Sequence, residues 1–241
     1  MKFTQHYSSS SSNFYTVEAA NGKRLLIECG ARWPLMQDAL GYRLDNVVGC
    51  LLTHEHKDHS KSVSNTLKAG IDVYASPGTW RMLEAKNHRR AVILGERETW
   101  YTPVNGNGDF QFMPFQTHHD AEDPLGFVVK CNREHLLFAT DTSHITQRFN
   151  VAFDIIAIEC SYDRAILQER VDTGTINESL AKRLLTSHLE RKETLRYLKE
   201  FCDLSKCREI HLLHMSSDNI DAESARKEIE NELFIKTIIK V

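Results

Sequence analysis

Short apolar runs separated by turn residues dominate the chain. KFTQHY and NFYTVEA flank five serines, Ser8 to Ser12, so the opening predicts a strand, a turn and a second strand. Asn21-Gly22 then predicts a hairpin turn before RLLIECG. WPLMQDAL has helical spacing. VVGCLLT (Val47 to Thr53) is almost wholly apolar, as expected of a strand buried on both faces. It ends in the polar residues His54 to His59, the ten residues after those suit a helix, IDVYAS another strand, and Pro77 a helix start. Strands are predicted again at FQFMPFQ, GFVVKC, HLLFAT, FDIIAIE, EIHLLH and FIKTIIK, with a long, charged, helix-compatible stretch from Asn177 to Phe201. This order, without an internal linker or a short-period repeat, predicts a layered α/β sandwich.

A chain of 241 residues with 41% hydrophobic side chains supports one domain spanning 1–241. The net charge of −3 and pI near 6.5 exclude a histone-like partner held by overall charge, so any nucleic-acid contact has to be local. No apolar run approaches the roughly 18 residues of a membrane span, and the start lacks a signal-peptide core. A cytoplasmic protein without a membrane partner is expected. Six cysteines without a C-x-x-C pair read as small buried hydrophobes. The serine run reads either as a flexible loop or as the hydroxyl lining of a polar pocket.

Histidine changes the picture. THEHKDH follows the buried strand, and in H-x-H-x-D-H alternate residues of an extended loop project the same way. His54 and His56 are therefore placed to share one metal, while Asp58 and His59, on the turn into the helix, point at a second. Three more segments end strands with donors: FQTHHDAEDPLGF with His119 or His118, LLFATDTSH with Asp141, and IHLLHMSSDN with His214. Four such segments in one chain favour a two-metal site over coincidence.

These residues resemble the metallo-β-lactamase superfamily, whose signature is an H-x-H-x-D-H loop followed by a His, an Asp and a His at later strand ends. Within it the chain is similar to the YycJ/WalJ-like group, relatives of ribonuclease Z, through the serine-rich turn, HDAEDPLGF, FATDTSH, IECSYD and HMSSDN. The resemblance implies a four-layer αββα sandwich of two mixed sheets between helices. It also implies that His54, His56 and His119 hold one metal, Asp58, His59 and His214 the second, and that Asp141 bridges them. His119 is preferred to His118 because it directly precedes Asp-Ala in the matched segment. Where the group carries G-H-L-S-N, this chain has Ser187-His188-Leu189-Glu190-Arg191, which keeps the His and the Leu. Only 72 residues separate Asp141 from His214, too few for the long insert of β-CASP nucleases.

Two divalent ions, Zn or Mn, would activate water for attack at phosphorus. The expected function is a phosphodiesterase acting on nucleic acid, with a DNA exonuclease favoured. The alternative is a small-molecule metallo-hydrolase acting on a cyclic nucleotide, a lactone or a thioester, and a non-catalytic binding protein comes last because all seven ligand positions are filled. Asp58 and His188 are the expected catalytic residues, His188 as the acid for the leaving oxygen or else a helix-surface histidine. Ser216, Ser217 and Asn219 are expected phosphate contacts, or else a turn and helix cap. Glu55, Lys57 and Asp120 receive no role. Two basic segments could follow a phosphate backbone: Lys182 to Lys199, with six Lys+Arg against two Glu, and KNHRR at Lys86 to Arg90. Nothing in the sequence fixes an oligomeric state.

Overall fold

The fold is described from a computed structural model covering residues 1–106 and 108–240. The strands form two six-stranded sheets. The first has the order β1 (Lys2–Ser9), β2 (Ser12–Glu18), β3 (Arg24–Ile27), β4 (Val47–Leu51), β5 (Val73–Ala75), β6 (Ala91–Ile93). The second runs in reverse order from β12 (Lys236–Ile238) through β11 (Glu209–Leu213), β10 (Ile155–Glu159), β9 (Glu134–Ala139) and β8 (Leu125–Cys131) to β7 (Phe110–Gln116). Both are mixed. β1 to β3 pair antiparallel and β3 to β6 parallel; β7 and β8 pair antiparallel and β9 to β12 parallel.

The chain divides into two compact units, residues 1–116 with 121–134, and residues 117–120 with 135–241. In the first, α1 (Trp33–Ala39), α3 (Val63–Lys68) and α4 (Pro77–Met82) cover the sheet, and Leu26, Met36, Cys50, Leu67, Val73 and Trp80 form the core between them. Pro77 at the start of α4 and the Ser76 cap, whose Oγ accepts Thr79 N, explain why that helix begins where the sequence predicts. The Asn21-Gly22 turn is a hairpin with Gly22 at φ +81°, a conformation that glycine adopts without penalty.

In the second unit β10 is buried at every position, as a central parallel strand should be. α5 (Arg164–Asp172) and α6 (Glu178–Ser187) enclose a small cluster of their own around Tyr162, Leu167, Ile176 and Ala181. α7 (Arg191–Phe201) packs on α8 (Ala222–Leu233). The helix-compatible stretch from Asn177 to Phe201 thus holds two helices, α6 and α7. Asn177 caps α6, Glu190 caps α7 by accepting Lys192 N and Glu193 N, and His188 between them is extended at φ −131°, ψ 156°. β6, α5 and α8 are additions to the elements named from the sequence. Cys29, Cys50, Cys131 and Cys160 are buried, Cys202 and Cys207 partly so, and all six are free thiols. Among the described residues, no helix is long and apolar enough to cross a membrane.

Candidate metal centre

In the first unit the donors sit on one loop after β4, and the loop is fastened from behind. Cys29 N donates to the His59 carbonyl, Ser62 N to the Cys29 carbonyl, and Ser62 Oγ to the Ala31 carbonyl. Gly30 lies so close that a Cβ there would stand 1.5 Å from the Asp58 carbonyl oxygen, so only glycine fits. The helix α2 (Lys57–Ser60) starts inside the motif and fixes Asp58 and His59 on its first turn.

A buried carboxylate organises the rings. Glu28 follows β3 in the left-handed region at φ +65°, an uncommon conformation for a residue other than glycine, and is fully buried. Its carboxylate accepts Thr53 Oγ1 at 2.5 Å and lies 3.2 Å from His59 Nδ1. With the Thr53 proton given to Glu28, Thr53 Oγ1 accepts from His54 Nδ1 at 2.9 Å. The Nε2 atoms of His54 and His59 are therefore the lone-pair atoms. This is the arrangement in which an outer carboxylate or hydroxyl fixes the tautomer of a metal-binding imidazole. His54 Nε2 lies 3.0 Å from His56 Nδ1, and His59 Nε2 lies 3.1 Å from Asp58 Oδ2. Burial pushes the Glu28 pKa up, while His59 and Thr53 oppose it.

Around this pair, Asn13 Nδ2 reaches both Asp58 Oδ2, at 3.2 Å, and His59 Nε2, at 3.0 Å, and Tyr15 donates to Asn13 Oδ1. The serine run forms the β1–β2 turn leading to Asn13, with Ser10 and Ser11 exposed. Glu55 accepts Glu122 N at 2.8 Å, so it anchors the 121–124 loop, and Lys57 is exposed.

In the second unit the donors come from three strand ends and one preceding segment. Asp141 follows β9 at φ +48° and His214 follows β11 at φ +51°, both left-handed. Such conformations in residues other than glycine are a sign of a functional site. The two Asp141 oxygens face different rings: Oδ2 lies 3.5 Å from His119 Nε2, and Oδ1 lies 3.6 Å from His214 Nε2. His119 Nδ1 is bound to the Ser187 carbonyl at 2.9 Å, leaving Nε2 as its donor atom. His118 points elsewhere and stacks on His144, with centroids 3.9 Å apart and planes 10° apart. Asp120 Oδ1 lies 3.1 Å from His119 Nε2.

Glu159, fully buried at the end of β10, plays the part of Glu28 here. Its Oε1 takes His188 Nδ1 at 2.6 Å and lies 3.8 Å from His214 Nδ1, and its Oε2 accepts Thr142 N at 2.7 Å. His188 is 9% exposed and stacks on His214 at 5.0 Å, so it is an interior residue and not one on a helix surface. Burial lowers its pKa, but Glu159, with Asp141 and Asp120, outweighs burial and holds it up at about 9. Burial also lowers the His119 pKa, against Asp141 and the Ser187 carbonyl. Asp141, Glu159, His188 and His214 have ligand atoms within 4.8 Å of one another.

The expected phosphate contacts are largely engaged within the chain. Ser216 Oγ accepts Asn219 Nδ2 at 2.9 Å, Asn219 Oδ1 accepts Arg170, and Asn219 is buried, whereas Ser217 is exposed. Sequence reasoning missed Glu28, Glu159, Thr53 and Asn13. A signal for the two carboxylates was present: Ile27-Glu28-Cys29 and Ile158-Glu159-Cys160 repeat one tripeptide, a lone charge ending an apolar run.

Comparison with known proteins identifies the family. The sequence profile of the family described as Beta-lactamase superfamily domain matches residues 23–207. Exodeoxyribonuclease YycJ of Bacillus anthracis is 26% identical over 223 residues, 88% of this chain and 81% of that protein. Exodeoxyribonuclease WalJ of Streptococcus pneumoniae serotype 2 (strain D39 / NCTC 7466) is 25% identical over 242 residues, 96% of this chain and 88% of that protein. Among solved structures, the metallo-β-lactamase fold protein YhfI of Bacillus subtilis is similar with a TM-score of 0.74 and 16% identity, covering 99% of this chain and 95% of that one. The short form of human tRNase Z has a TM-score of 0.62 at 15% identity, covering 90% and 93%. These two likenesses show the fold, an α/β sandwich of two mixed sheets flanked by helices.

Proposed function

Because the chain belongs to the beta-lactamase superfamily and is a metal-dependent hydrolase of the metallo-β-lactamase fold, we propose that it is an exonuclease acting on DNA, with 1–241 working as one domain. His54, His56 and His119 are the protein ligands of one divalent ion, Asp58, His59 and His214 those of the second, and Asp141 is shared. The observation that carries this reading is the placement of the two Asp141 oxygens against two different imidazole Nε2 atoms, as a bridging carboxylate requires. The fit extends to the tautomers, since His54 and His119 spend Nδ1 on oxygen partners and keep Nε2 for coordination, and the Glu28 carboxylate lies 3.2 Å from His59 Nδ1. Nitrogen and carboxylate donors together suit Zn or Mn.

When bound, a pair of such ions supplies a water of lowered pKa and a clamp for the oxygens of an in-line displacement at phosphorus. The protein's part is to hold its donors rigid and to manage the leaving oxygen. His188 donates an Nδ1–H hydrogen bond to the Glu159 carboxylate, which fixes the ring and presents Nε2–H as the proton donor to that oxygen. Asp58, whose carboxylate lies beside His59 Nε2, serves as ligand and orients the attacking side. Ser217, after His214, is the exposed member of the predicted phosphate group. Six free thiols suit a reducing cytoplasm.

DNA as substrate is supported by the likeness to YycJ and WalJ over more than four-fifths of their lengths. A small phosphodiester is the second reading, favoured by the ion pairs that occupy four of the six cations between Lys182 and Lys199. The test is a metal-supplemented assay on 5′-labelled and 3′-labelled single- and double-stranded DNA, with RNA, cyclic nucleotides and bis-p-nitrophenyl phosphate alongside. Stepwise shortening of DNA from one labelled end is the expected result. Turnover of cyclic nucleotides with DNA intact selects the second reading, and opening of a lactone or thioester with every phosphodiester intact rejects both.

A further inference from the structure

Resting on the nucleic-acid reading above, we propose that the stacked rings of His118 and His144 form a platform on which a base of the substrate stacks, so that a nucleotide is held by its base as well as by its phosphate. Both residues lie in the second unit. Their ring centroids are 3.9 Å apart and their planes 10° apart, a parallel stack. Imidazole lone pairs lie in the ring plane, so two rings stacked in parallel do not aim them at one ion, and the pair is unsuited to hold a metal. His118 is half-buried and covers one face of the His144 ring, while His144 itself is exposed, so the opposite face is where a base adds. Burial and the facing His118 ring lower the His144 pKa, which disfavours the charged form that a phosphate would select.

The stack is braced by the backbone that carries two of the metal ligands. Thr142 Oγ1 accepts His118 N at 3.0 Å and donates to the His144 carbonyl at 2.7 Å, so one buried hydroxyl ties both residues. Ser143 N and Oγ both donate to the His118 carbonyl, at 2.8 and 3.2 Å, and Oγ lies 3.0 Å from His144 Nδ1. Ordering an exposed side chain costs rotamer entropy, and here that ordering is complete before a ligand arrives. His118 adjoins His119, and His144 is three residues past Asp141, so each Cα stands within about 11 Å of a metal ligand's Cα. Thr142 N also donates to Glu159, the carboxylate that holds His188. Platform and hydrolytic groups are thus parts of one frame, and a base seated on the first sets the place of its phosphodiester at the second.

Two measurements on the full-length, metal-loaded protein test this. The first compares, by calorimetry, the binding of 5′-dAMP and of 2-deoxyribose 5-phosphate, which share the phosphate and differ by the base. Wild type should prefer dAMP by about 5- to 100-fold, the scale of one base stacked on an aromatic ring. His144→Ala should remove most of that preference, and His144→Phe, which keeps an aromatic face without ring nitrogens, should restore it. His144 is exposed, so neither substitution should move the melting temperature. The second measures KM and kcat on single-stranded DNA ending in ordinary or abasic nucleotides. His144→Ala should raise KM on ordinary DNA toward the value for abasic ends, with little change in kcat. No preference for dAMP in wild type, a preference that survives His144→Ala, or no rescue by His144→Phe overturns the platform. The expected dAMP binding in a protein that leaves DNA intact overturns the exonuclease reading instead, and gives the stacking surface to a small nucleotide.

Discussion

The two units solve one problem in different ways. In the first, four donors lie within six residues, His54 to His59, on a loop clamped by Gly30, Cys29 and Ser62. In the second, His119, Asp141, His188 and His214 are spread over 96 residues and meet only because β9 and β11 lie on either side of β10 in the sheet. Yet each unit relies on a fully buried glutamate ending an Ile-Glu-Cys run. Glu28 serves Thr53 and His59, and Glu159 serves Thr142, His188 and His214. A contiguous donor loop and a scattered donor set thus both lean on one buried carboxylate at a strand end, and they differ in that the sheet order must bring the second set together.

The largest expected effect comes from the residue with two faces. Asp141→Asn keeps the volume but leaves one neutral oxygen, so neither imidazole faces a full carboxylate. Metal content should drop from two ions to one or none, and turnover by about three orders of magnitude or more. That corresponds to several kcal/mol of charge stabilisation. Elemental analysis with kinetics checks it, and full activity in the variant would remove Asp141 from the bridge. Next in size is His188→Ala, expected to keep both ions while losing roughly two to four orders of magnitude on DNA. The loss should shrink on bis-p-nitrophenyl phosphate, whose leaving group needs little protonation. An equal loss on both substrates makes His188 a phosphate-positioning residue.

These residues also show what was legible in the sequence. The loop could be read because its donors are contiguous, and the strands because parallel, doubly buried segments such as β4 and β10 are continuous apolar runs. His214 and Asp141 could be read as strand-end donors, but their left-handed backbone could not, since neither is a glycine. Glu28 and Glu159 escaped because a single carboxylate at the end of a strand gives no periodic signal. The α6–α7 break escaped because its cause is the Glu190 cap and the pull of Glu159 on His188, one local and one 29 residues away.

A pair of matched variants sharpens the comparison. Glu28→Gln removes the charge behind His59, and should weaken metal binding by about 10- to 100-fold with little change in turnover per bound ion. Glu159→Gln removes the charge behind both His188 and His214. It should lower affinity by a similar factor and also reduce turnover at saturating metal, because His188 loses the partner that fixes its ring. Affinity measured by chelator competition and turnover at saturation separate the two outcomes. If the two variants behave alike, the glutamates are equivalent and His188 has no separate role.

The smallest effect concerns the basic helices. Between Lys182 and Lys199, Arg183 pairs with Asp120, Arg191 with Asp163 and Glu228, Arg196 with Glu193 and Glu200, and Lys199 with Glu232. Lys182 and Lys192 have no ion pair among the described residues, and they are the cations most available to a phosphate backbone. Each contact to single-stranded DNA contributes about 0.7 to the slope of log affinity against log salt. Lys182→Gln with Lys192→Gln should therefore lower that slope by at most about 1.4 and raise KM a few-fold, with kcat on DNA and turnover of bis-p-nitrophenyl phosphate unchanged. A larger fall in slope would mean that the paired arginines leave their carboxylates for DNA. No fall would place the polymer's path away from α6 and α7, leaving the second unit's histidine cluster to act without their help.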